Sequence, residues 1–284
     1  MKVATLGPAG TFSQQAAEKL VQSGVLGVSE TPQSASSQPT EPRIHLYSHL
    51  QRCLQALPED ADRVVVPIEN VSEGFVPVVL DHLVGADLHI THELHLPIAF
   101  HACACVEQKS DITRLYVQFV ARGQCRDFVD SLGDIEIVPT QSNSESLQLA
   151  EAFGAGAAAI IPAHFIGQIS DAMTWQQHQV HDYEHNQTRF VVLASGPVPD
   201  AAHGAKTSLM VINDDDRPGL LEKVLHCFST RKLNLTSIVS RPTGQGFGRY
   251  HFFMDVQADV HDIAMKGALR AVAQLAQVKV LGCY

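Results

Sequence analysis

The chain is 284 residues long, with 45% hydrophobic and 18% charged residues and a formal net charge of −10. That length suits two domains, each with a real core, and the acidic balance, with no cluster of Lys and Arg, argues against a nucleic-acid partner. Residues 1–8 lack the apolar core of a signal peptide, and the longest apolar stretch, residues 155–161, is too short to span a bilayer. The expectation is a cytoplasmic protein with no membrane contact and with its six cysteines reduced.

Residues 3–6 predict a short buried strand. Gly7-Pro8-Ala9-Gly10-Thr11-Phe12-Ser13 then turns into a helix over 14–21, which Thr11 or Ser13 can cap. A glycine-rich turn that opens a helix presents amides to an anion. The turn is not a Gly-x-Gly-x-x-Gly fingerprint, so no dinucleotide is expected. Residues 29–42, rich in Ser, Pro, Thr and Gln, read as an exposed loop. Helical signal returns over 48–57, and the β-branched run 64–68 reads as a buried parallel strand. Glu69 and Asn70 follow its carboxyl end, where open α/β sheets bind ligands.

A helix over 76–83 and strand-like segments over 88–104, broken at Glu93 and Pro97, come next. Strand alternation puts Cys103 and Cys105 on one face, where packing fits better than a metal site. A helix over 124–132, a strand over 135–138 and a helix over 144–153 complete an α/β alternation. The order suggests two lobes, with the chain crossing over and back, and a ligand cleft between them. His178, His181 and His185, near Asp182 and Glu184, lie in a polar run that reads as surface histidines, and no metal is expected. Asn186-Gln187-Thr188-Arg189-Phe190 opens an apolar strand over 191–194. A hydroxyl beside a fixed cation suits a proton donor and a carboxylate clamp aimed at one ligand.

Residues 195–204 are a linker by composition. The tail then reads as a strand over 208–212, a helix with Asp216 as cap and Pro218 near its first turn, and a strand over 235–241. Leu221, Val224, Leu225 and Phe228 share one helix face. A turn at 244–248 leads to a strand on which Tyr250, Phe252, Met254 and Val256 alternate, then a helix over 261–275 and a strand over 278–281. The order βαββαβ is the ferredoxin-like unit.

These motifs, in this order, resemble the prephenate dehydratase family. The likeness runs through Leu6-Gly7-Pro8-Ala9-Gly10-Thr11-Phe12-Ser13, Val66-Pro67-Ile68-Glu69-Asn70, Gln124-Cys125, Pro139-Thr140 with Ser142, and Asn186-Gln187-Thr188-Arg189-Phe190. In the tail, Arg217-Pro218-Gly219-Leu220-Leu221, Leu233-Asn234-Leu235-Thr236 and Ser240-Arg241-Pro242 resemble an ACT regulatory domain. The resemblance implies a two-lobed α/β catalytic domain of the periplasmic-binding-protein type (type II) over 1–195, with lobe one at 1–76 and 170–195 and lobe two at 77–169. It implies a βαββαβ ACT domain over 205–284. It further implies dehydration of prephenate without a cofactor, feedback by phenylalanine, and a homodimer or homotetramer.

Carried onto this chain, the catalytic candidates are Thr188, Asn70, Gln124 and Glu69, and the substrate-binding candidates are Arg189, Thr11, Gly10, Ser13 and Ser142. The regulatory candidates are Pro218, Gly219, Leu220, Leu221, Asn234, Leu235, Ser240 and Arg241. The chain departs from the family pattern at Val117-Gln118-Phe119-Val120, where Ser-His-Pro-Gln is usual, and at Val71, Asn143 and Val239. Removing a polar group that hydrogen-bonds a bound dianion costs on the order of 1–3 kcal/mol. The alternative reading is therefore a catalytically weakened ligand-binding or sensor paralogue, or a related dehydratase with altered substrate.

Overall fold

The computed structural model describes residues 1–26, 42–213, 217–246 and 248–284. All of the expected loop over 29–42 except Pro42, and the expected cap Asp216, lie outside the described residues.

The chain opens with β1 (Lys2–Leu6), α1 (Phe12–Gln22), β2 (Arg43–Tyr47), α2 (Leu50–Leu54), β3 (Arg63–Asn70), the two-residue β4 (Gly74–Phe75), α3 (Pro77–Gly85) and β5 (Leu88–Pro97). Thr11 is the cap of α1: its hydroxyl accepts from the Gln14 amide at 3.3 Å, while Ser13 is buried inside the first turn. Pro77 begins α3, where its missing N–H leaves no hydrogen bond unmade. The β-branched run of β3 is buried on both faces, as a central strand requires. β5 runs unbroken through Glu93, contrary to the expected interruption, because it pairs along its length with a later strand, β11 (Gln187–Ser195).

β6 (Phe100–Ala104), β7 (Arg114–Gln118), α4 (Phe119–Gln124), α5 (Arg126–Asp130), β8 (Glu136–Thr140), α6 (Asn143–Phe153), β9 (Ala157–Pro162) and β10 (Trp175–Gln177) build the second lobe. Its sheet has the order β10-β6-β9-β7-β8. The chain crosses into this lobe between Pro97 and Phe100 and returns between Gln177 and Gln187, not near residues 76 and 170 as expected. α3 and β5 thus belong to the first lobe, whose core holds Val79, Leu80, Leu83 and Ile90. Cys103 and Cys105 pack into one apolar cluster with Tyr116 and Met173.

The tail comprises β12 (Thr207–Ile212), α7 (Leu220–Ser229), β13 (Leu235–Pro242), β14 (Tyr250–Val256), α8 (Ile263–Ala273) and β15 (Gln277–Cys283). Gly219, in the left-handed region at φ 80°, caps α7, and Pro218 lies in the turn just before it, near the first helical turn as expected. Leu220, Val224 and Phe228 pack with Met254 and Val256 under α8. The opposite face of the same small sheet is not exposed. Met210, Phe253 and Leu281 join the core of the first lobe. The two sheets are continuous, in the order β13-β14-β12-β15-β5-β11-β3-β1-β2, with β4 on β3. The joint is one parallel pairing, Gly282 with Ile90. A Cβ on Gly282 would lie 2.4 Å from the Ile90 carbonyl oxygen, so only glycine permits this approach.

Burial pushes the Cys53 and Cys103 thiols up to about 12, and pushes Cys125 upward as well. The thiolate is the reactive form, so these three should resist alkylation at pH 8 in the native protein. The partly exposed Cys227 should be modified first, as read by mass spectrometry after limited iodoacetamide treatment. Prompt native-state labelling of Cys103 or Cys125 would contradict this packing. No helix among the described residues is long and apolar enough to cross a membrane.

Candidate active site

Strand β11 decides the geometry. Successive side chains of a strand point to opposite faces. Thr188 and Phe190 therefore face the groove between the lobes, and Arg189 faces away from it. Across the ladder, Thr188 pairs with Asn70 of β3 and Arg189 pairs with Glu69. One face of these two strands carries amide and hydroxyl groups, and the other carries charge.

The groove encloses about 400 Å³. Asn70 Nδ2 donates to Thr188 Oγ1 at 2.8 Å and to Asn186 Oδ1 at 2.9 Å. Asn186 Nδ2 in turn donates to Gln124 Oε1 at 3.0 Å, so the chain of polar contacts reaches the second lobe. Asn70 is held from below by its own turn: Oδ1 accepts from the Ser72 and Glu73 amides and from the Ser72 hydroxyl. Since Thr188 Oγ1 accepts from Asn70, its own proton is available to the groove. A hydroxyl oxygen that accepts a hydrogen bond also carries developing negative charge more easily.

No Lys or Arg lines the groove among the described residues. The one charged side chain on its lining, among the described residues, is the Glu73 carboxylate, so the donors that could hold an anion are backbone amides and neutral side chains. The capping residues of two eleven-residue helices, Thr11 of α1 and Ser142 of α6, both line it from opposite lobes. Ser142 Oγ accepts from the Glu145 amide at 3.1 Å. The first-turn amides of such helices lack intrahelical partners and favour a bound carboxylate, by about 0.3–1 kcal/mol per exposed terminus and up to about 2 when partly buried. Ile98, Phe100, Phe190 and Val120 supply apolar walls.

The expected residues divide into two groups. Thr188, Asn70, Gln124, Thr11, Ser13 and Ser142 meet in the groove. Gly10 does not line it. Its amide donates to Gln14 Oε1 at 2.7 Å, and its carbonyl lies 3.2 Å from His164 Nε2 of the other lobe. A Cβ at Gly10 would fall 2.0 Å from the Phe165 ring, so this glycine serves close approach of the lobes rather than anion capture. Arg189 and Glu69 are corrections. Arg189 is 5% exposed and turned toward the tail domain, where Nη1 donates to Asp255 Oδ2 at 2.6 Å and lies 3.2 Å from Glu69 Oε2. Its Nε lies 3.4 Å from Glu93, whose carboxylate also takes Lys206 Nζ at 2.7 Å. Asp255 is fully buried, accepts from the Ser208 hydroxyl, and Ser208 meets the Tyr284 hydroxyl at 2.6 Å. Burial holds the Glu69 carboxyl above its ordinary range, with Arg189 opposing that rise. Adjacency in sequence suggested a joint acid and clamp, and strand alternation separates them.

Glu73, Gln118, Gln141 and Asn143 line the groove without being among the candidates, and the network's Asn186, which does not line it, is likewise unassigned. Asn186 is a buried hub, signalled only by its place in the Asn-Gln-Thr-Arg-Phe run. Gln118 lines the groove and caps α4, its Oε1 accepting from the Val120 and Ala121 amides. Asn143 lines it too, with a buried Oδ1 that has no hydrogen-bond partner. The altered stretch over 117–120 is therefore less apolar at the groove than it reads. Val117 is core and Phe119 is 81% exposed, and neither lines the groove.

The regulatory candidates also divide. Pro218, Gly219, Leu220 and Leu221 line a second cavity of about 270 Å³ with Tyr250 and Phe252. Asn234, Leu235, Ser240 and Arg241 do not line it. Leu235 packs in the tail core, Ser240 is exposed, and Asn234 donates to Gln257 at 3.3 Å. Arg241 grips Asp81 of α3 through two bonds at 2.9 and 2.8 Å, because alternate residues of β13 face the first lobe. Of the histidines weighed as ligands, His178 faces His101 at 2.9 Å and His181 accepts from the Phe100 amide at 3.3 Å.

The profile of the family described as prephenate dehydratase matches residues 3–197, and that of the ACT domain matches residues 207–274. The chain is 30% identical to the prephenate dehydratase of Bacillus subtilis over 310 residues, covering 100% of this chain and 98% of that one. It is 32% identical to the prephenate dehydratase of Mycobacteroides abscessus over 289 residues, covering 100% and 89%. Among solved structures, the prephenate dehydratase of Arthrobacter aurescens, determined in complex with L-Phe, superposes with a TM-score of 0.76 at 28% identity, covering 99% of this chain and 89% of that one. On sequence, domain order and fold alike, the chain belongs to the prephenate dehydratase family and carries an ACT domain after its two lobes.

Proposed function

We propose that this chain converts prephenate to phenylpyruvate, and that phenylalanine regulates it through the ACT domain. The observation that carries the reading is the Asn70–Thr188 hydrogen bond at 2.8 Å, set in a groove that two helix N-termini enter from opposite lobes. Prephenate is a dianion with a ring hydroxyl. The reaction breaks the bond to the ring carboxylate, sends that electron pair into the ring, and expels the ring hydroxyl as water after it gains a proton. The ring becomes aromatic, so the chemistry runs strongly downhill and the protein's task is orientation and one proton transfer.

In this reading the amides of α1 and α6 hold the two carboxylates, and the apolar walls receive the ring. Thr188 donates toward the departing hydroxyl. Asn70 donates to Thr188 and stabilises its oxygen as the proton leaves. Gln124 and Asn186 fix Asn70 and join the lobes. Arg189 and Glu69 do not touch substrate; they anchor β11 and β3 to the ACT domain. The intact Asn70–Thr188 pair favours an enzyme over a sensor paralogue. We further propose that phenylalanine binds beside Pro218-Gly219-Leu220-Leu221, and that the chain works in the cytoplasm as a homodimer or homotetramer assembled through its ACT domains.

The test is turnover. Purified protein incubated with prephenate should form phenylpyruvate, read by its absorbance in alkali, well above the spontaneous rate. Added phenylalanine should change that rate. Folded protein with no product above the spontaneous rate would overturn the reading, and a rate indifferent to phenylalanine would overturn its regulatory half.

A further inference from the structure

The linker after β11 ends against the loop between β14 and α8, and three metal-ligand side chains meet there. His203 comes from the linker, and Asp259 and His261 come from the loop. One ligand atom of each lies within 4.8 Å of the other two, the one such His/Cys/Asp/Glu group found among the described residues. His203 Nδ1 is 2.9 Å from Asp259 Oδ2, and the two imidazole centroids are 4.5 Å apart.

The carboxylate is already oriented. The Gly204 amide donates to Asp259 Oδ2 at 3.0 Å, and the His261 amide donates to Oδ1 at 2.7 Å. Donors that fix a carboxylate in this way are the usual outer shell of a metal ligand. Nε2 of His261 is shielded from solvent and has no hydrogen-bond partner in the protein. A ring nitrogen so placed forfeits the bond it would make to water, and an ion in the gap between the three groups would restore a partner.

We propose that His203, Asp259 and His261 bind a divalent first-row metal ion of the zinc class and thereby tie the interdomain linker to the ACT domain. Two imidazoles and one carboxylate form a borderline nitrogen–oxygen set that suits zinc and leaves a fourth tetrahedral position for water. Magnesium and calcium are disfavoured, since they take hard oxygen ligands. The three residues lie outside the groove, so the inference stands apart from the dehydratase reading.

The experiment is a zinc chloride titration of full-length protein, first stripped with a chelator and dialysed, followed by calorimetry. Cobalt(II) titration with visible absorption reports geometry. The expected result is one zinc per chain, tetrahedral cobalt bands, and binding weakened more than about tenfold in each of His203→Ala and His261→Ala. The His203 side chain is 67% exposed, so its replacement removes no core packing and keeps the test decisive should His261→Ala fail to fold. His178→Ala, which breaks the separate His101–His178 pair, should leave zinc binding unchanged. A protein with no saturable zinc site, or one whose site survives His203→Ala, would overturn the proposal.

Discussion

Asp255→Ala should lower the melting temperature by on the order of 10 °C. The carboxylate is fully buried, 2.6 Å from Arg189 Nη1 and bonded to the Ser208 hydroxyl. Removing one member of a buried pair leaves the other charge in a place that water cannot reach, at about 3–5 kcal/mol. For a chain somewhat larger than 250 residues each kcal/mol moves the midpoint by roughly 2–4 °C. Glu69 and Glu93 soften the loss, since both stay near Arg189. Two nitrogens of that guanidinium already lack hydrogen-bond partners, so little slack remains. Thermal denaturation followed by circular dichroism reads the shift directly. An unchanged midpoint would mean that the domains are held by the apolar packing of Met210, Phe253 and Leu281 alone.

The second large effect belongs to the other face of the same strand. Thr188→Val should reduce kcat by about 10²- to 10⁴-fold, the usual share of a positioned proton donor. Its stability should hardly change. Valine nearly matches threonine in shape, and Asn70 Nδ2 keeps Asn186 Oδ1 at 2.9 Å and the Gln187 carbonyl at 3.1 Å as acceptors. No buried donor is orphaned, so the penalty that follows a half-broken hydrogen bond does not arise. The contrast between neighbours is sharp. A variant at 188 loses turnover and keeps its fold, whereas loss of the partner of residue 189 costs stability first. A single peptide unit thus separates the proposed reacting hydroxyl from the ACT domain's deepest ion pair.

Much of this could be seen in the sequence, and the reasons for the remainder are physical. The βαββαβ tail was readable because Val224, Phe228, Met254 and Val256 recur at helix and strand spacing and pack where that spacing sends them. Thr11 as a cap and Asn70 at a strand end follow from local chemistry and are observed. Arg189 was misassigned because its chemistry suits a carboxylate, while its direction depends on a period of two that residue type does not report. The lobe boundary was misplaced because β5 joins the first sheet through β11, about a hundred positions later, and no local pattern encodes that pairing. The expected helix over 124–132 is shorter, Arg126–Asp130, because Cys125, with φ of −130° and ψ of 39°, separates it from α4, which ends at Gln124. Gln118 stood out only as a departure from the family pattern, because its role as a cap exists only once α4 is known to begin at Phe119.

The Thr188 hydroxyl is the centre of the proposed chemistry, and one comparison isolates it. Steady-state turnover of prephenate should be measured for the native chain, Thr188→Ser and Thr188→Val, each confirmed to melt as the native protein does. Serine keeps the hydroxyl and should retain kcat to within about tenfold, whereas valine should lose at least about a hundredfold. Equal rates for the serine and valine variants would contradict the assignment, because then the hydroxyl that Asn70 holds in the groove takes no part in the reaction.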